Sequence, residues 1–292
     1  MSALPFAQRL RLAPGQGGIG LWLKSSAYTR RLLQGSAEAD VWQSPAGYLA
    51  WFSQAHGLLR PDVAMVEIGE LYDAWIAREG GLEARLGKRR TPTMALRRLL
   101  EDDTPRVLLA EVLDAVDAHL RGQTPIALAM PSPRRWLRHA NRLASQPDDP
   151  PDDDTVEDAT IYLTELLRSV SAKPVSCVLL EEAPDDAELL PSVFARYRSL
   201  ANLAQHYRWS LALRLPRGLA PVPVAGFDAV IADDGATAAE IASVAVGRDA
   251  SAAFAQAAAP AAVANGFRFV ELAPSLRPET VLDTLQAWRA AG

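Results

Sequence analysis

The chain has 292 residues, 49% of them apolar and 22% charged, with a formal net charge of −5. This balance offers no basic face for nucleic acid, and no apolar run approaches the roughly 20 residues of a membrane span. A single cysteine, Cys177, excludes an internal disulfide and a multi-cysteine metal cage.

In chain order, short apolar runs alternate with helix-like stretches. Met1–Pro5 lacks a cationic segment leading into an apolar core, so a secretory signal is not expected and a cytoplasmic location is. After the glycine-rich Gly15–Gly20 loop, Ile19–Lys24 reads as a first strand, and Tyr28–Gln34 as a short helical or loop segment. Ser44 followed by Pro45 opens a helix running to Leu59. Val63–Ile68 is the second strand, followed by helices at Leu71–Arg78, Met94–Leu100 and Val107–Arg121. Ile126–Met130 is the third strand, with a helix over Pro133–Ala144. Residues 147–154, dominated by aspartate and proline, read as an acidic surface loop within one domain. Thr155 is placed to cap a helix to Val170, and Val175–Leu180 is the fourth strand. A long helix over Leu190–Tyr207 precedes strands at Leu211–Leu215 and Phe227–Ala232. Helix Ala236–Val244, a weak seventh strand at Val244–Val246, helix Ala250–Ala264, strand Phe267–Leu272 and helix Pro278–Ala290 complete the series.

Runs this short and rich in Val, Ile and Leu suit strands buried on both faces. Eight of them, each followed by a helical segment, predict an α/β protein: a single (β/α)8 TIM barrel over residues 1–292, with an open doubly wound sheet as the alternative. Chemistry is then expected at the carboxyl ends of the strands.

Glu67 and Glu70 lie at the second strand's end, where a carboxylate can hold a cationic substrate, move a proton, or pair structurally with a Lys or Arg. Glu181-Glu182 and Asp233-Asp234 end the fourth and sixth strands; one of each adjacent pair can point into a mouth, and a hydrated rim is the alternative. Arg134 and Arg135 open a helix at the third strand's end, a place that favours an anion, unless they pair with the acidic 148–154 stretch. Lys24 can balance these carboxylates. The four histidines fall in helical stretches, and only His139 is near a mouth. There is no Gly-x-Ser-x-Gly elbow, phosphate loop or dinucleotide fingerprint after a strand.

Gly20–Arg31, with Trp22 in a strand ahead of Arg30 and Arg31, resembles the opening of the uroporphyrinogen decarboxylase family. That family has a tryptophan-containing strand followed by an Arg-Gln-Ala-Gly-Arg-Tyr motif. Pro45–Glu70, Pro125–Pro133 and Val175–Glu182 are similar to later units of the same barrel, which is shared with cobalamin-independent methionine synthases and corrinoid methyltransferases. Lys24 and Tyr28 stand where the family motif has its two arginines, so the resemblance implies a diverged member. It implies an enzyme acting on a carboxylate-bearing, anionic small molecule by acid/base chemistry, decarboxylation included, with no cofactor and no metal. Lys24, Glu67 and Glu181 would be catalytic; Arg134, Arg135, Glu70, Tyr28 and Asp233 would bind substrate. Methyl transfer, or a non-catalytic barrel acting as a partner subunit, are the alternatives. A homo-oligomer is left open.

Overall fold

The computed structural model describes residues 4–87, 91–145, 150–183, 191–216, 218–219, 225–233, 244–260 and 266–291. Eight strands line up in parallel: β1 (Leu21–Lys24), β2 (Ala64–Glu67), β3 (Ile126–Pro131), β4 (Val175–Glu181), β5 (Ser210–Arg214), β6 (Ala229–Asp233), β7 (Ala245–Asp249) and β8 (Gly266–Glu271). Their order, β1-β8-β7-β6-β5-β4-β3-β2, curls them into a nearly closed (β/α)8 barrel with helices outside.

The apolar runs are continuous because the two faces of each strand are buried against different partners. Inward-facing Trp22, Ala127, Ala129, Cys177, Leu179, Ala212, Ile231, Phe267 and Phe269 pack as one cluster. Their outward neighbours, among them Val66, Leu128, Leu180, Leu213 and Val230, pack under the helices. Large rings on β1 and β8 are accommodated by alanines on β3, β5 and β7. Gly247 belongs to the same fit, since a Cβ there would meet the Phe267 ring at 2.6 Å. Phe6, from a short amino-terminal helix, lies edge-on to Trp22 with ring centroids 5.7 Å apart. Cys177 is wholly enclosed in this cluster, and burial pushes its thiol well above the usual range. It is a packing residue with no thiolate to offer.

No ladder joins β1 to β2. A side chain substitutes for it at the amino end: Asp62 Oδ2 accepts from the Gly20 and Leu21 amides at 3.0 and 2.9 Å. A hollow of about 30 Å³ lies along the gap, bordered by Leu23, Ser26, Met65 and Glu67.

Helix starts follow their caps. Ser44 accepts from the Gly47 amide, Asp102 from Thr104, and Ser132 from Arg135. Asp152 rather than Thr155 caps the helix at Asp153–Arg168, because its carboxylate accepts the Thr155 amide at 2.7 Å. The single helix expected over 190–207 is two, Pro191–Ala195 and Arg198–Tyr207, broken where Tyr197 turns inward to donate its hydroxyl to Glu182. Strand β7 is longer than its apolar content suggests, running on through Gly247, Arg248 and Asp249. Of the helix expected over Ala250–Ala264, Ser251–Ala255 is helical and 256–260 is not, while 261–264 lie outside the described residues; the helix expected over Ala236–Val244 falls, up to residue 243, outside them as well. Of the acidic 147–154 stretch, residues 147–149 also lie outside them; Asp153 and Asp154 face Arg196 at 3.5 and 3.8 Å. Among the described residues, no helix is long and apolar enough to cross a membrane.

Candidate active site at the barrel mouth

Every strand but β3 ends on a charged residue, so the parallel arrangement gathers ionic side chains at one end. Lys24, last in β1, reaches across the mouth to Glu181, last in β4. Its Nζ stands 2.7 and 2.6 Å from the two carboxylate oxygens. Glu67, last in β2, is 3.4 Å from the same Nζ. On the other side Arg214, last in β5, contacts Glu181 at 3.2 Å, Asp249 at 2.9 Å and Glu271 at 2.7 Å. Its guanidinium sits 4.7 Å from the centre of the Phe269 ring, which roofs the apolar interior. A second tier comes from helices. Glu70 accepts from Ser26 Oγ at 2.5 Å and pairs with Arg30 at 2.8 Å, tying the segments after β1 and β2 together across the unpaired gap.

These groups surround a cavity of about 230 Å³ lined by Lys24, Glu67, Glu70, Asp73, Arg135, Glu181 and Glu271, among others. Burial acts against charge on Lys24, Glu67, Glu70 and Glu181, and the outcome depends on the partners. Glu67 is pushed up to about 8, first by burial and then by the negative charge of Glu70, with Lys24 pulling the other way. Glu70 is also raised by burial, partly offset by Arg30. For Glu181 burial is again the largest influence and acts upward, but Lys24 and Arg214 together outweigh it and hold the carboxylate at about 2. Lys24 is raised despite burial, through Glu181, Glu67 and Glu271, and so stays an ammonium. The mouth therefore sets a carboxyl whose pKa is raised toward neutrality, Glu67, beside the Lys24–Glu181 ion pair. Such a group can deliver a proton.

The structure brings Lys24, Glu67, Glu70, Arg135 and Glu181 to this cavity. It places Arg134, Tyr28 and Asp233 elsewhere. One residue along a helix turns a side chain by about 100°, so Arg135 borders the cavity and donates to the Glu181 carbonyl at 3.1 Å, while Arg134 lies toward Tyr197. Tyr28 packs in the outer layer with Val281, Leu285 and Trp288. Asp233 accepts the Gly218 amide at 2.6 Å. Glu182, next to Glu181, points the opposite way into a buried network with Ser132 and Tyr197. Sequence reasoning missed Arg214, Asp249 and Glu271. Arg214 and Glu271 carried a usable signal, a charge within two residues of the end of a largely apolar run. Among the described residues, no group of three or more His, Cys, Asp or Glu side chains is disposed to hold a metal ion.

No family model matches the chain, and no curated protein matches it. Among solved structures it is similar to a methyltransferase from Methanosarcina mazei, with a TM-score of 0.55 and 11% identity over 99% of each chain. At that identity the likeness speaks for the fold alone, the (β/α)8 barrel described above.

Proposed function

We propose that this barrel is an enzyme that transfers a proton to a small, polar, carboxylate-bearing molecule, with Glu67 as general acid. The observation that carries the reading is a buried carboxyl, Glu67, on the wall of the mouth cavity and 3.4 Å from Lys24, with its pKa pushed up to about 8 by burial and by Glu70. A pKa near neutrality suits an acid that must both hold and release its proton. On delivery Glu67 becomes a carboxylate, and Lys24 is placed to stabilise it until water returns the proton. Glu181 and Arg214 fix Lys24 in that position. Arg135 supplies a guanidinium to the substrate's carboxylate. Where the reaction is a decarboxylation, the bond from the α-carbon to the carboxylate breaks, CO2 leaves, and the electron pair left on carbon takes the Glu67 proton. A cavity of about 230 Å³ favours a molecule of a few carbons over a macrocycle, since pockets for drug-sized ligands run to roughly 300–1,000 Å³.

The test is a panel of short keto, hydroxy and amino acids, followed for CO2 release and for solvent deuterium in the product. Wild type turns over at least one, with a rate that declines above about pH 8. Glu67→Gln binds it but loses about a hundredfold or more in kcat. Equal turnover by Glu67→Gln would end the reading. Methyl transfer is the second reading, supported by the activity named for the Methanosarcina mazei neighbour. Transfer of an isotopically labelled methyl group in place of CO2 release would favour it, and a tight hetero-complex inert in both assays would favour a partner-subunit role.

A further inference from the structure

Behind the mouth lies a second hollow of about 230 Å³ that shares Gly69, Asp73, Pro131 and Arg135 with the first but has the opposite electrical character. Its wall is one face of the Pro133–Leu143 helix, which presents Arg135, Arg138, His139 and Arg142 at the i, i+3, i+4, i+7 spacing of a single helical stripe. Three guanidiniums and an imidazole face one carboxylate, Asp73, whose Oδ1 is 3.5 Å from His139 Nε2. The neighbouring cavity has five carboxyl side chains to two cations on its wall.

Trp136 also lines the hollow. It is 1% exposed, and its indole N–H has no hydrogen-bond partner; His139 Nε2 likewise has none. Arg138 and Arg142 have partners of their own, so an incoming anion joins a network instead of meeting bare charge. The planar fork of each guanidinium suits an oxyanion that accepts several hydrogen bonds at once, which a phosphate does better than a single carboxylate.

We propose that this hollow is a phosphate-type oxyanion site. Its occupant is the phosphorylated end of the same small molecule whose reacting end lies at Glu67, with Arg135 between the two. The second part rests on the proton-transfer reading; the anion site itself does not. Inorganic phosphate is the other source of the same chemistry.

Both sources are tested by calorimetry and NMR on the whole chain, with inorganic phosphate and with 2-phosphoglycolate as probes. Wild type binds phosphate, and the paired variants Arg138→Gln and Arg142→Gln each weaken it about tenfold or more. Arg142→Lys, which keeps the charge, retains part of the affinity. Arg97→Gln, an exposed arginine paired with Glu101 on another helix, leaves it unchanged. Burial holds the His139 imidazole below its usual range, with Arg142 and Arg135 adding to the effect and Asp73 opposing it. Bound phosphate therefore raises the His139 pKa. 2-Phosphoglycolate perturbs the Glu67 and Lys24 signals as well as those of the arginines and His139, whereas inorganic phosphate perturbs the arginines and His139 without reaching Glu67 and Lys24. Absence of binding at millimolar phosphate, or equal binding by the Arg138 and Arg142 variants, overturns the site. Phosphate binding without any effect of 2-phosphoglycolate at Glu67 keeps the site and overturns its link to the mouth. Loss of turnover in every assay with phosphate binding intact counts against the proton-transfer reading only.

Discussion

Glu67 and Glu181 end two strands of one sheet and are 8% and 6% exposed, yet their pKa values are driven in opposite directions, up for Glu67 and down for Glu181. Burial is equal, so burial does not decide. At the β4 end Glu181 is gripped by two cations, Lys24 and Arg214, whereas at the β2 end Glu67 has the more distant share of Lys24 and a second carboxylate, Glu70, nearby. One fold thus makes a permanent anion and a proton store from the same residue type, by counting neighbours.

The largest expected effect comes from removing the cation that only Glu181 has. Arg214→Met leaves Glu181, Asp249 and Glu271 short of their shared counter-charge and should destabilise the protein by about 3–5 kcal/mol, read from denaturant midpoints. The stability Glu181 contributes is present above its unfolded value near 4.5 and is lost as pH falls toward about 2. In Arg214→Met the folded value rises toward 4.5, so that pH-dependent loss should be smaller and complete at higher pH; an unchanged pH profile would mean that Lys24 alone suffices.

Glu67→Gln sharpens the comparison from the other side. Its pKa is raised on folding, so folding is progressively penalised as pH rises from about 4.5 to about 8 and the penalty is constant above. The amide removes that slope. The variant should gain stability relative to wild type on going from pH 5 to pH 8, on the order of 2 kcal/mol after allowance for coupling to Lys24. Parallel pH curves for the two proteins would show that Glu67 is ionised throughout.

The smallest effect is expected at Glu70. Glu70→Gln removes one negative neighbour and should lower the Glu67 pKa by about one unit, measured by carbon NMR of the carboxyl. Stability should change little, because Arg30 and Ser26 keep an acceptor in the amide oxygen.

The barrel was legible in the chain because strands buried on both faces leave unmistakable apolar runs, and seven of the eight run near their expected limits. Strand β7 was hard to see because its second half is Gly247-Arg248-Asp249, shaped by the need to clear Phe267 and to contact Arg214. Lys24, Glu67 and Glu181 could be singled out as charges at run ends. That Lys24 grasps a carboxylate 157 positions away could not, since only barrel closure sets that distance. Arg214 was absorbed into an apolar run, and the choice between Arg134 and Arg135 hung on helix phase, fixed by the Ser132 cap. Tyr28 was singled out because it stands where the resembled motif has its second arginine, but its helix turns it toward the outer shell.

The stave missing its backbone seam has one more consequence. Because β1 and β2 are clasped by Asp62 at one end and by side chains at the other, a water-sized crevice of about 30 Å³ reaches Glu67 sideways, between the staves. In the proton-transfer reading proposed above, this flank gives water a way to Glu67 that is separate from the mouth where a substrate would enter.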